Sequence, residues 1–130
     1  MLNNIILASK SKVRKNILEN NNINCEVKPS NVDEDSVKES LATENASPEI
    51  ISKNLAELKA NKISSKIKER IVLGADSVID LNGELISKPL DRKEAMEILK
   101  KLNGREHYLI SSVCISCLLY TSDAADDFTS

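Results

Sequence analysis

Three features of the sequence predict an α/β domain with a mixed sheet flanked by helices. Short apolar runs alternate with helical patterns, which is the order that builds parallel strands joined by helices. An Asn82-Gly83 pair between two such runs is a hairpin signal and adds an antiparallel strand. The longest run, Ile71-Val72-Leu73-Gly74-Ala75-Asp76-Ser77-Val78-Ile79-Asp80, opens as continuously apolar chain, as expected of a strand buried on both faces.

A chain of 130 residues is long enough for one domain with a real core. Its net charge of -2 gives no reason to expect nucleic acid or an anionic membrane as partner, so any cationic site must be local. No run has the length of a membrane span, and Met1-Leu2-Asn3-Asn4-Ile5-Ile6-Leu7 lacks the pattern of a signal peptide, so a cytoplasmic protein is expected. The three cysteines, Cys25, Cys114 and Cys117, make no disulfide framework. Cys114-x-x-Cys117 lies in a strand-like run with no second pair, and reads as two reduced thiols in or beside the core.

Taken in order, Asn4 to Ala8 reads as the first strand. A helix is expected from Lys12 to about Asn20, with Ser9 or Ser11 as N-cap and Val13, Ile17 and Leu18 inward. Hydroxyls, Lys10 and Arg14 then surround a helix N-terminus, where unpaired N–H groups and the helix dipole favour an anion; a routine capped helix reads the same way. Ile23, Cys25 and Val27 alternate as a strand ending at Pro29, and Val32-Asp33-Glu34-Asp35 is a solvated acidic loop or a source of carboxylates for a divalent cation. Ser47-Pro48-Glu49 starts a helix that runs to about Lys66, with Ile51, Leu55, Leu58 and either Lys62 or Ile63 on one face and Lys59 beside it.

The central strand follows, then the hairpin return through Glu84-Leu85-Ile86 to Lys88-Pro89. Asp91 caps a helix from Arg92 to Leu102, with Ala95, Ile98, Leu99 and Leu102 inward, and Asn103-Gly104 stops it. Glu106 to Ile115 is a further strand with His107 at its start, read as a hydrogen-bonded structural residue. Within the central strand, Gly74 lets a ligand or a second backbone come close. Asp76 is either a buried structural acid or a catalytic or metal-binding carboxylate, because burying a charge is costly unless it is paired or used.

These pieces combine into a resemblance. Leu7-Ala8-Ser9-x-Ser11-x-x-Arg14, Val32-Asp33-Glu34, Leu55-Ala56-x-x-Lys59-Ala60, Gly74-Ala75-Asp76-Ser77, Asp80-x-x-Gly83-Glu84, Lys88-Pro89 and Leu102-x-Gly104-Arg105-x-His107 occur in the order and spacing of the Maf family of nucleoside triphosphate pyrophosphatases, named for an association with septum formation. The resemblance covers residues 2 to about 115. It implies a Maf/ITPase-like α/β fold, a nucleoside triphosphate substrate cleaved between the α and β phosphates to monophosphate and diphosphate, and a divalent cation, Mg²⁺ or Mn²⁺. It further implies Asp76 as proton acceptor, Glu34 and Asp76 as metal ligands, and Ser9, Ser11, Arg14, Lys59 and Lys88 as substrate- and phosphate-binding residues. Family members often form homodimers.

Ser77 and Val13 bear on specificity. Gly74-Ala75-Asp76-Ser77 resembles the Gly-Ala-Asp-Thr of members that prefer dTTP and UTP, serine keeping the hydroxyl, whereas Val13 stands where that branch has arginine. Beyond Ile115 the resemblance stops: every Lys and Arg lies at or before Arg105, and residues 116–130 differ in character from the chain before them, so a non-native tail on a shortened family domain is expected there. Two other functional classes follow, a nucleotide-binding regulator without turnover and an inactive fragment.

Overall fold

The computed structural model of the chain describes residues 4–119. Among these residues the elements run β1 (Ile5–Leu7), α1 (Lys12–Asn20), β2 (Cys25–Val27), α2 (Glu34–Thr43), α3 (Pro48–Ser64), β3 (Val72–Leu81), β4 (Glu84–Ile86), α4 (Arg92–Leu102) and β5 (Tyr108–Ser116). The strands form a mixed sheet in the order β2-β1-β3-β4, with β5 also paired to β3. β1 is parallel to both β2 and β3, and β4 is antiparallel to β3, as the alternating pattern and the hairpin signal predict. No helix among the described residues is long and apolar enough to cross a membrane.

The chain divides into two compact units. The first contains residues 4–32, 56–75 and 113–119. Its core is Ile6, Ala8, Ala60, Ile63 and Val72, with Ile67 and Cys114 packed against it. β1 is buried along its whole length because it lies between two strands. Gly74 decides between its two readings here: a Cβ on it would lie 2.4 Å from the Ala56 carbonyl oxygen and 2.6 Å from the Ala60 amide nitrogen, so the close partner is the backbone of α3. The alanines of Leu55-Ala56-x-x-Lys59-Ala60 serve the same approach. The end of β5 is tied to α3 by Ser116, whose hydroxyl donates to Asn61 Oδ1 at 2.9 Å and lies 2.9 Å from Ser64 Oγ.

The second unit contains residues 33–55 and 76–112. Leu81, Ile86 and Leu102 form its core, with Ile79 and Ile98 against them. At the hairpin, Asn82 and Gly83 both have positive φ, 51° and 89°, the conformation a two-residue turn of this kind requires. Asp80 Oδ1 accepts from Gly83 N at 2.7 Å and closes that turn. Asp91 Oδ1 accepts from Glu94 N at 2.8 Å and starts α4 where expected.

Several expectations are corrected. Residues 34–43 form helix α2 rather than a loop, because the Asp33 carboxylate accepts from Ser36 N at 3.2 Å and acids in the first turn suit the helix dipole. On α1, Val13 and Ile17 are exposed; the less exposed stripe is Arg14, Lys15 and Leu18, the side on which Arg14 donates to the buried Ser9. On α3 the buried stripe is Ile51, Ser52, Leu55, Ala56, Ala60 and Ile63, while Leu58 and Lys62 are exposed, since the alanine side is the one that meets Gly74. On α4 Leu99 is exposed and lies with Met96 on an open groove of about 740 Å³.

The cysteines are free. Cys25 and Cys114 are half-buried, and burial pushes both thiols above their ordinary pKa, which suits inert thiols beside a core, whereas Cys117 is exposed and does not take the place in or beside the core expected of it.

Candidate functional site

Ser9, Ser11, Val13, Arg14 and Lys59 belong to the first unit; Glu34, Asp76, Ser77 and Lys88 belong to the second. In the first unit the loop between β1 and α1 is organised by its two hydroxyls. Ser9 is buried, and its Oγ accepts from Ser11 N at 3.1 Å and from Arg14 Nη1 at 3.2 Å. Ser11 is the N-cap, accepting from Arg14 N at 3.2 Å. The structure therefore splits the work that the sequence left open between two serines: Ser11 caps, and Ser9 draws the guanidinium back over the helix N-terminus. Both act on Arg14. Val13, the sequence-predicted specificity position, is exposed on α1.

Lys59 has a specific place. The carbonyls of Ile71 and Leu73 accept from Ile6 N and Ala8 N, both at 2.9 Å. Strand alternation points the Ala75 carbonyl the same way, but the register of β1 ends at Leu7↔Leu73. Lys59 Nζ donates to that carbonyl at 3.3 Å. Its ammonium thus stands where the next amide of β1 would have been, at the residue just before Asp76.

In the second unit Asp76 is buried, 5% exposed, on a pleat face that it shares with Val72, Gly74 and Val78. Its main-chain carbonyl accepts from the hydroxyl of Ser52 at 3.2 Å. Ser77, on the opposite face, has its hydroxyl 2.8 Å from that of Ser111 on β5. Glu34 is half-buried in the first turn of α2. Lys38, one helical turn after Glu34, donates to Ser87 Oγ at 3.3 Å, which brings α2 beside the exposed segment that carries Lys88. Among the described residues no cluster of three or more His, Cys, Asp or Glu side chains could hold a metal ion. His107 Nδ1 lies 3.0 Å from the Arg105 carbonyl oxygen, the hydrogen-bonded structural role expected of it.

Sequence reasoning missed Ser52 and Ser111. Ser52 is a serine on an otherwise apolar helix stripe, one turn before Ala56, and that anomaly was its signal. Ser111 carried none, because a serine in an outward strand position is ordinary.

Residues 4–128 match the family of Maf-like proteins. The chain belongs to the Maf family. It is 73% identical over 116 residues to a protein of Pelagibacter ubique named nucleoside triphosphate pyrophosphatase, covering 89% of this chain and 60% of that one. A Ruegeria protein of the same name is 42% identical, over 90% of this chain and 59% of its own. A Clostridioides difficile protein named dTTP/UTP pyrophosphatase is 37% identical, over 86% of this chain and 55% of its own. The chain thus spans about 60% of the length of the curated relatives it matches. The Maf match runs past the expected boundary at residue 115. Within the first unit Glu69 N donates to the Leu118 carbonyl at 2.8 Å, beside a bridge between Lys68 and Leu118; residues 120–130 of the expected tail lie outside the described residues.

Proposed function

We propose that this Maf chain carries the base and much of the cationic lining of a nucleoside triphosphate pyrophosphatase, which hydrolyses dTTP or UTP to the monophosphate and diphosphate in the cytoplasm. The observation that carries the reading is Asp76, a buried carboxylate in the middle of a strand, set in a Maf motif and preceded by a carbonyl that a lysine holds. A carboxylate in such surroundings is suited to take a proton from water as the water attacks the α-phosphorus. The triphosphate brings about four negative charges, whose burial requires compensating cations. Arg14 at the N-terminus of α1, Lys59 and Lys88 are the groups assigned to it.

Asp76 and Glu34 would hold the divalent cation, their hard carboxylate oxygens being donors of the kind that suits Mg²⁺ or Mn²⁺. When bound, the cation polarises phosphoryl oxygens. Charge that grows on those oxygens in the transition state is stabilised by Lys59, Lys88 and Arg14, more strongly than in the ground state. Ser77 is assigned to the base or sugar, as the hydroxyl counterpart of threonine in the dTTP/UTP branch. Assembly as a homodimer and a role linked to septum formation belong to the same reading. A nucleotide-binding regulator without turnover is the alternative reading, and the assay below separates the two.

The test is pyrophosphate release from dTTP and UTP with Mg²⁺ or Mn²⁺. Asp76→Asn keeps the shape and removes the base, and should lower turnover about 10²–10⁴-fold. Equal turnover by the variant removes Asp76 from the mechanism; saturable binding with no release by the unchanged chain selects the regulator.

A further inference from the structure

We propose that Ser52 and Ser111 are positioning residues that hold the Asp76-Ser77 dipeptide from its two sides; the inference rests on the pyrophosphatase reading above. Ser52 is fully buried in α3, on a stripe whose next turns place alanine at residues 56 and 60. Alanine at residue 52 would fill nearly the same space without enclosing a hydroxyl, and an enclosed hydroxyl is unfavourable unless it is bonded. The bond it makes, 3.2 Å to the Asp76 carbonyl oxygen, ties the main chain of the proposed base to a helix. From the other pleat face, Ser111 Oγ lies 2.8 Å from Ser77 Oγ and limits the rotamer of the hydroxyl assigned to specificity.

The two bonds act on adjacent residues through different atoms. Ser52 fixes where the Asp76 backbone sits, and so where its carboxylate starts. Ser111 fixes which way the Ser77 hydroxyl is presented. A base must meet its proton within hydrogen-bond reach, and a misplacement of about 1 Å can cost on the order of 10²-fold in rate.

The test compares kcat and KM for dTTP and UTP in the unchanged chain, Ser52→Ala, Ser111→Ala and Ser111→Thr, each confirmed folded and assayed well below its melting midpoint. Ser52→Ala should lower kcat about tenfold with KM within about twofold, since it displaces the base without touching substrate. Ser111→Ala should change the dTTP to UTP ratio of kcat/KM, and Ser111→Thr should restore it. Unchanged kcat in folded Ser52→Ala, or an unchanged ratio in Ser111→Ala, overturns the respective half of the assignment. Should the unchanged chain release no pyrophosphate, the pyrophosphatase reading falls separately, and amide exchange at residues 76–78 decides positioning. Exchange about tenfold faster in Ser52→Ala and Ser111→Ala supports the tether. Unaltered exchange overturns it.

Discussion

The two halves of β3 are built differently. Val72 to Ala75, in the first unit, is held by backbone: parallel pairing with β1, and Gly74 pressed against the main chain of α3. Asp76 to Leu81, in the second unit, is held by the hairpin with β4 and by hydroxyls at its first two residues. Backbone pairing with β1 has no dependence on side-chain identity, whereas a hydroxyl tether is set by single residues. The change falls between Ala75 and Asp76. A strand that is locked first and adjustable next can carry an expensive acid and still vary the residue beside it.

The same substitution in the first half of β3 and in the turn that ends its second half gives the sharpest test. Gly74→Ala forces a Cβ to within 2.4 Å of a backbone oxygen, which no rotamer can relieve. Overpacking of this kind should destabilise by about 3 kcal/mol and lower the thermal midpoint by roughly 10 °C. Gly83→Ala meets nothing within 4 Å and has only its φ of 89° to oppose it. That conformational term is about 1 kcal/mol, roughly 4 °C. Differential scanning calorimetry on both variants checks the pair: equal losses would erase the distinction between a sterically locked strand segment and the turn that limits the hairpin beyond it.

These contrasts also mark what the sequence made legible. Elements with two-ended chemistry were readable: Ser11 and Asp91 cap α1 and α4 where expected, and Asn82-Gly83 turns the chain. Helix α2 was not, because Asp33-Glu34-Asp35 reads equally as a cation-binding loop, and only the bond from Ser36 N to Asp33 distinguishes a cap. Helix faces failed for a related reason. Val13 and Ile17 are more apolar than Arg14, yet this nine-residue helix has no buried residue and turns inward the side on which Arg14 bonds Ser9, so apolar spacing does not identify its face. Asp76, Lys59 and Arg14 could be found as types in a family pattern. Lys59 in line with the carbonyls that face β1, and Ser52 behind Asp76, are tertiary facts that no local window contains.

The smallest effect concerns local capping in the second unit, where Asp33, Asp80 and Asp91 each accept from the amide three residues on. At Asp33 the Ser36 hydroxyl, 2.9 Å from Oδ2, and then the Ser36 N–H hold the carboxyl below its ordinary pKa. A carboxyl with a lower pKa folded than unfolded binds more protons when unfolded. Its contribution is therefore complete above the unfolded value, about 3.9, and is lost as pH falls through the lower folded value. Asp33→Asn provides a cap of similar rank that does not titrate. The stability difference between the two chains should be constant from pH 7 to about 5 and should shrink below about pH 4, with the change smaller than that from either glycine substitution. Amide exchange in α2, measured across that range, should show the loss confined to residues 34–43. A difference that stays flat down to about pH 2 would mean that the cap draws nothing from ionisation and that Ser36 holds Asp33 equally well when protonated.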